Sequence, residues 1–279
     1  MKSSFMNTPL FSILIAQYNN GKYFEDCYKS IMAQTYTNWE AIIVDDCSTD
    51  DSVELMKKLI GDDTRFKIYS NDENKGCGFT KRRCVECATG EICGFLDPDD
   101  AIAKEALFEM ISVHDDREIS FAYSNFIFCN ENLQPGFSPP KVQIDSFKED
   151  FYNLHGEISH FVTFKMGHYL LTTGIDKYLL RAVDQDLYLK LYEVGKVFFV
   201  DKQLYYYRIH SGGISTMNNI QKAYYWKWVV VIDAAKRRNN NVEDLFLKHT
   251  SLFFQKEKTK RNTFRIFFRN FMARISRIK

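Results

Sequence analysis

The chain has 279 residues and a formal net charge of +1. Its composition, 45% apolar and 26% charged, excludes wholesale disorder and collagen-like structure, and its length suits one large α/β domain or a domain with an appendage. No apolar run reaches the ~20 residues of a spanning helix, and the first ten residues lack the apolar core and cleavage site of a signal peptide, so a cytoplasmic protein is expected.

From residue 11 onward, strand and helix patterns alternate. Phe11–Ala16 (FSILIA) is a short apolar run of the kind that forms a buried strand. Asn19-Asn20-Gly21 punctuates it, and Tyr23–Ala33 spaces Phe24, Cys27 and Ile31 at helical intervals. Trp39–Asp46 predicts a second strand, Ser52–Ile60 a second helix, Phe66–Ser70 a third strand and Phe79–Ala88 a third helix. Glu91–Leu96 predicts a fourth strand, followed by Asp97-Pro98-Asp99-Asp100 and a helix over Ala101–Val113. Ile119–Cys129 reads as a further strand. Glu131–Tyr152, with Pro135, Gly136, Pro139 and Pro140, reads as a long loop, and long loops in compact domains are usually functional. Asp184–Val194 predicts a helix, Lys196–Asp201 a strand, and Asn218–Arg238 a long helix ending in basic residues and asparagines. This alternation predicts βαβ units and a largely parallel sheet.

The near-zero charge hides a split. Residues 255–279 carry nine Lys or Arg and one acid, leaving a net of −7 on residues 1–254. In that tail Phe264, Phe267, Phe268, Phe271, Ile275 and Ile278 share one helical face, with arginines towards the other. Such a basic amphipathic helix is suited to an anionic membrane surface, at about 1 kcal/mol per basic residue near the leaflet. A peripheral position on the cytoplasmic face is therefore expected. No nucleic-acid recognition motif accompanies the tail, so nucleic acid is not expected as a partner. The seven cysteines are an odd number, which reads as reduced thiols. Cys84 and Cys87 have CxxC spacing, but no second pair or nearby histidine completes a zinc site.

In parallel sheets, ligands bind beyond the carboxyl ends of the strands. Three such ends here are polar: Gln17-Tyr18-Asn19, Asp45-Asp46, and Asp97-Pro98-Asp99-Asp100. If these strands are neighbours, five carboxylates share one crevice. Crowded carboxylates repel, and a hard divalent cation shared with substrate phosphates is the usual remedy. That combination points to a Mn²⁺ or Mg²⁺ site for a diphosphate ligand. Part of the cluster also has a structural reading, with Asp100 as the cap of the following helix. Gly76-Cys77-Gly78 precedes a helix but follows the third strand, and Lys81 stands where a third glycine belongs, so it is no dinucleotide fingerprint.

These stretches, together with SHFVTFK, AVDQDLYLKLYEVGKVFFVDKQLYYYR and IHSGGIS, resemble the inverting glycosyltransferases of family 2, and the likeness covers most of residues 10–216. The resemblance implies an α/β GT-A fold, with a mostly parallel central sheet flanked by helices. It implies a transferase domain over residues 1–217 (nucleotide-binding half 10–113, acceptor half 114–217) and a helical extension over 218–279. It further implies transfer of a hexose-type sugar from a nucleotide-sugar donor, UDP-linked, to a glycan or lipid-linked acceptor in polysaccharide biosynthesis. Gln17, Tyr18, Asn19, Asp45, Asp46, Lys81 and Asp97 match nucleotide-sugar positions, and Asp97 with Asp99 matches the DxD pair. Asp99 and His210 match metal positions, and His210 lies in a segment suited to a lid. Asp184 matches the general base, with Asp186 as an alternative, since Val183 replaces the acid that usually precedes the base. His160 and Lys165 fall in the acceptor region. Cys47 replaces a usual glycine, and Arg82 a usual asparagine. Two other functions are open at this point. One is a sugar-phosphate nucleotidyltransferase, whose glycine-rich loop is missing after the first strand. The other is a non-catalytic nucleotide-sugar-binding partner.

Overall fold

The structure is a computed structural model that describes residues 8–145, 147–212 and 219–249. Four parallel strands form one side of the sheet: β1 (Phe11–Gln17), β2 (Trp39–Asp45), β3 (Phe66–Ser70) and β4 (Ile92–Phe95). The rest comprises β5 (Ala101–Ile102), β6 (Ile119–Cys129), β7 (Val162–Lys165) and β8 (Lys196–Arg208). The eight strands run in the order β3-β2-β1-β4-β7-β6-β8-β5.

The expected α/β class holds, with one addition that the periodicity does not announce. Strand β7 enters antiparallel between β4 and β6, while β6 and β8 pair in parallel. At four residues, β7 is too short to show a period, and its place is set by its neighbours. The sheet is therefore parallel on the β1–β4 side and mixed on the other.

The helices include α1 (Phe24–Met32), α2 (Ser52–Ile60), α3 (Cys77–Cys87), α4 (Ala106–Val113), α5 (Met166–Tyr169), α6 (Val183–Tyr192) and α7 (Ile220–Arg237). One continuous core joins Phe11, Ile13 and Ile15 of β1 to Phe24, Cys27 and Ile31 of α1, Met56 of α2 and Met110 of α4. Helix α3 packs on β1 and β2, and α6 on β6. Every residue of β2 is buried, as a parallel strand covered on both faces requires.

The single helix expected over Ala101–Val113 is in fact β5 followed by α4. Asp100 accordingly caps no helix. Its carboxylate accepts from the Arg208 N–H at 2.7 Å and from Tyr205 Oη at 2.7 Å, tying the turn after β4 to β8.

The chain divides into two compact units, Met1–Ala234 and Ala235–Lys279. The boundary expected after residue 217 lies inside the first. None of the helices among the described residues is long and apolar enough to cross a membrane. The basic amphipathic stretch of residues 255–279 lies outside the described residues.

Candidate active site

Strands β2, β1 and β4 are adjacent, so the three polar strand ends meet as expected. Above them lies a cavity of about 450 Å³. Of the residues singled out in the sequence, Gln17, Tyr18, Asp46, Lys81, Asp97, Asp99, His160, Asp184 and His210 line it. Asn19, Asp45, Lys165 and Asp186 are not in the lining.

The β2 aspartates are largely committed to the scaffold. Asp45 accepts the Ser48 N–H at 2.9 Å and the Ser48 hydroxyl at 2.5 Å. Asp46 accepts from Asn71 Nδ2 at 2.7 Å and from the backbone N–H groups of Lys75 and Gly76, each at 2.8 Å. A buried carboxylate is stable when backbone donors satisfy it. Asp46 thus fixes the entry to α3, where Gly76 takes φ +87°, a region open to glycine. A Cβ on Gly78 would lie 2.5 Å from the Asp176 carbonyl, so this glycine permits the close approach of the segment that leads into α6. Asn19 is also a scaffold residue: at φ 51° it accepts the Thr49 N–H at 2.9 Å. Cys47 stands at φ 60°, which explains why glycine suits that position.

The opposite wall is built from charges that face one another. Lys81 reaches up from α3, 5% exposed, with Nζ 2.7 Å from Asp184 Oδ1 and 3.2 Å from Asp97 Oδ1. Burial works against the ammonium, but the charges of Asp184 and Asp97 outweigh it and raise its pKa well above the usual lysine value. Burial likewise opposes ionisation of Asp184. Lys81, and to a lesser degree His160, overcome this and hold the carboxyl below the usual aspartate value. Asp184 lies in the first turn of α6, two residues after the N-cap Ala182. Val183 beside it is buried.

Two of the residues expected at the site lie away from the cavity lining. Asp186 is 2% exposed, pairs with Lys190 Nζ at 2.8 Å and accepts the Asp176 N–H at 2.9 Å. It braces the segment ahead of α6 and is not in the cavity lining, whereas Asp184 is. Lys165 ends β7 opposite Ile92, at the amino end of β4, and donates to the Asp116 carbonyl. It stands at the far end of the sheet from the cavity.

Asp99 Oδ2 and His210 Nε2 lie 2.7 Å apart. Neighbouring ligands in an octahedron with bonds of about 2.1 Å are separated by about 3 Å, so this pair has nearly the spacing of two adjacent metal ligands. Among the described residues no three His, Cys, Asp or Glu side chains converge on a metal position. A divalent ion here would therefore draw further ligands from phosphate oxygens and water, which suits Mg²⁺ or Mn²⁺. Cys84 is buried and Cys87 half-buried, both as free thiols.

Lining residues given no functional role from the sequence include Cys77, Arg181, Tyr207 and Arg208. Burial pushes the Cys77 thiol up to about 12, which makes it unreactive. Arg208 was within sight, two residues before His210, but its ion-pair partner Asp26 lies 182 positions upstream.

Comparison with known proteins agrees with this geometry. The family model described as "Glycosyl transferase family 2" matches residues 12–169. The chain belongs to glycosyl transferase family 2. Chondroitin synthase of Pasteurella multocida (strain Pm70) is 30% identical to this family 2 chain over 241 residues, 82% of the chain and 24% of that protein. The chain thus spans about a quarter of the synthase's length. Among solved structures, S. aureus TarS 1–349 in complex with UDP-GlcNAc superposes with a TM-score of 0.67 at 20% identity, covering 86% of this chain and 72% of that one. The mannosyltransferase PcManGT from Pyrobaculum calidifontis, in complex with GDP-Man and Mn²⁺, gives 0.57 at 16% identity, covering 92% and 84%. These likenesses establish the GT-A nucleotide-sugar transferase fold.

Proposed function

We propose that this chain is a metal-dependent, inverting hexosyltransferase. It uses a UDP-linked donor and a glycan or lipid-linked acceptor in polysaccharide biosynthesis. The observation that carries the reading is the convergence of Lys81, Asp97, Asp99, His210 and Asp184 around one cavity at the strand ends. The UDP-GlcNAc bound by TarS and the Mn²⁺ bound by PcManGT support the donor and metal classes. Family membership favours glycosyl transfer over nucleotidyl transfer.

Tyr18, 44% exposed at the end of β1, offers its ring to the base. Asp46 Oδ2 accepts a single protein hydrogen bond, which leaves a lone pair for the base's imide N–H. Asp97 stands on the ribose side. Asp99 and His210 would hold the divalent ion, which when bound supplies neutralising charge to the diphosphate. Lys81 donates to the diphosphate as leaving-group charge grows, and in doing so relaxes its hold on Asp184. Asp184 takes the proton of the acceptor hydroxyl as that oxygen attacks the anomeric carbon. The diphosphate departs from the opposite face, so one displacement inverts the centre. His160, beside Asp184 in the lining, contacts the acceptor.

The +8 tail is proposed to hold the enzyme on an anionic membrane. Removal of residues 255–279 should then abolish vesicle binding and spare donor hydrolysis.

The activity test is a panel of nucleotide sugars incubated with Mn²⁺, with and without chelator. Metal-dependent release of UDP from one donor is expected. No turnover and no binding of any donor would sink the reading.

A further inference from the structure

A single arginine ties the metal end of the cavity together. Arg208 ends β8, and its side chain is 2% exposed. Its Nε donates to the Asp99 carbonyl at 2.5 Å, and its Nη2 meets Asp26 Oδ2 of α1 at 2.8 Å. Its Nη1 donates to the Glu131 carbonyl, where the long loop opens, and its own N–H donates to Asp100 Oδ1 at 2.7 Å. The guanidinium lies 4.7 Å from the Tyr23 ring centre, and that ring is 4.7 Å from the ring of His210. Tyr23 Oη donates to Glu131 Oε1 at 2.7 Å.

This is costly chemistry to bury without a purpose, because an interior cation must have its donors satisfied. Here they are satisfied by three segments far apart in the chain: α1, the turn after β4, and the start of the long loop. Both sides of the Asp99–His210 pair are served. The carbonyl and the following residue of Asp99 are pinned directly, which fixes where its carboxylate points. His210 is backed by the Tyr23 ring, which the guanidinium holds from its own position.

We propose that Arg208 is the positioning residue for the Asp99–His210 pair, acting through the Asp99 backbone and the Tyr23 ring. In that role it sets the affinity for a divalent cation with a nucleoside diphosphate. The proposal rests on the donor-site reading above. Lysine cannot replace the arginine, because a single point charge cannot reach a carbonyl, a carboxylate and a second carbonyl in a planar fork.

The test is Mn²⁺ binding by the full chain with UDP present, followed by the electron paramagnetic resonance of free Mn²⁺, with UDP affinity in chelator as a control. Groups that orient metal ligands contribute about 10–100-fold to affinity. Arg208→Lys should weaken Mn²⁺ by that amount while metal-free UDP binding is kept. Tyr23→Leu should weaken it in the same direction, and Tyr23→Phe, which keeps the ring, should recover most of the loss. If Arg208→Lys does not fold, Tyr23→Leu against Tyr23→Phe carries the test. Wild-type Mn²⁺ affinity in Arg208→Lys, or equal losses in the two Tyr23 variants, would overturn the role. Absence of UDP-dependent Mn²⁺ binding by the wild type would instead bring down the donor-site reading, and this proposal with it.

Discussion

Two sets of aspartates lie close to the cavity, one at the end of β2 and one after β4 and at the start of α6, and they differ in what surrounds them. Asp45 and Asp46 at the end of β2 are met by hydroxyl, amide and backbone N–H donors of their own scaffold. Asp97, Asp99 and Asp184 are met by the side chains of Lys81 and His210. The first set chiefly holds loops in place, with one oxygen of Asp46 less engaged. The second faces side-chain charges that a ligand could exchange for its own. A carboxylate at a strand end is therefore not a ligand by position alone, because the supply of local N–H donors decides its use.

That contrast can be broken by substitution, and the largest effect is expected at Asp184. Asp184→Asn should lower kcat by about 10²–10⁴-fold, the usual contribution of a positioned base, with the melting temperature and donor affinity close to wild type. Steady-state kinetics alongside thermal melts reads both. Asp99→Ala should cost about 10²–10³-fold in kcat/KM at fixed Mn²⁺, since several kcal/mol of charge stabilisation depend on the ion. A Mn²⁺ titration should show a right-shifted curve.

Lys81→Met sharpens the electrostatic side. Asp184 must be ionised to act, so activity falls as pH drops through its pKa. Burial alone would raise that pKa, and Lys81 overcomes it. Without the ammonium, the acid limb of the pH–kcat/KM profile should move to higher pH. An unmoved limb would mean that Asp184 is not the group titrating.

Asp46→Asn should differ from Asp184→Asn by lowering stability as well as donor affinity. It turns an N–H₂ towards N–H groups that in the wild type donate to the carboxylate, at a cost of about 1–3 kcal/mol in stability, measured by urea denaturation, and it removes the acceptor proposed for the base, which weakens UDP binding. Cys47→Gly should act in the stabilising direction by up to about 1 kcal/mol, because the position is left-handed. Lys165→Ala should leave sugar transfer within error of wild type.

Much of this was legible in the sequence because the signals were local. The ranges of β3 and β6 follow directly from their apolar runs. The three polar strand ends meet because parallel strands put their carboxyl ends on one side. What stayed hidden was pairing. Lys190 stands at i+4 from Asp186 on the predicted helix, a spacing that allows their pairing, but nothing local announces the Asp176 N–H as the second partner, and a base assignment between two aspartates two residues apart depends on which side of α6 faces the cavity. The short β7 has no period to read, so Lys165 seemed closer to the acceptor than its register with Ile92 allows. Asp100 looked like a cap because its true partners, Tyr205 and Arg208, lie more than a hundred residues away.

The central claim, a single displacement assisted by Asp184, is tested most directly by the stereochemical course of transfer. Proton NMR of the product formed from an α-linked UDP-sugar, with wild type and Asp184→Asn run side by side, reads both parts at once. The account predicts a β-linked product from the wild type and almost none from the variant. An α-linked product, or undiminished turnover in Asp184→Asn, would contradict it.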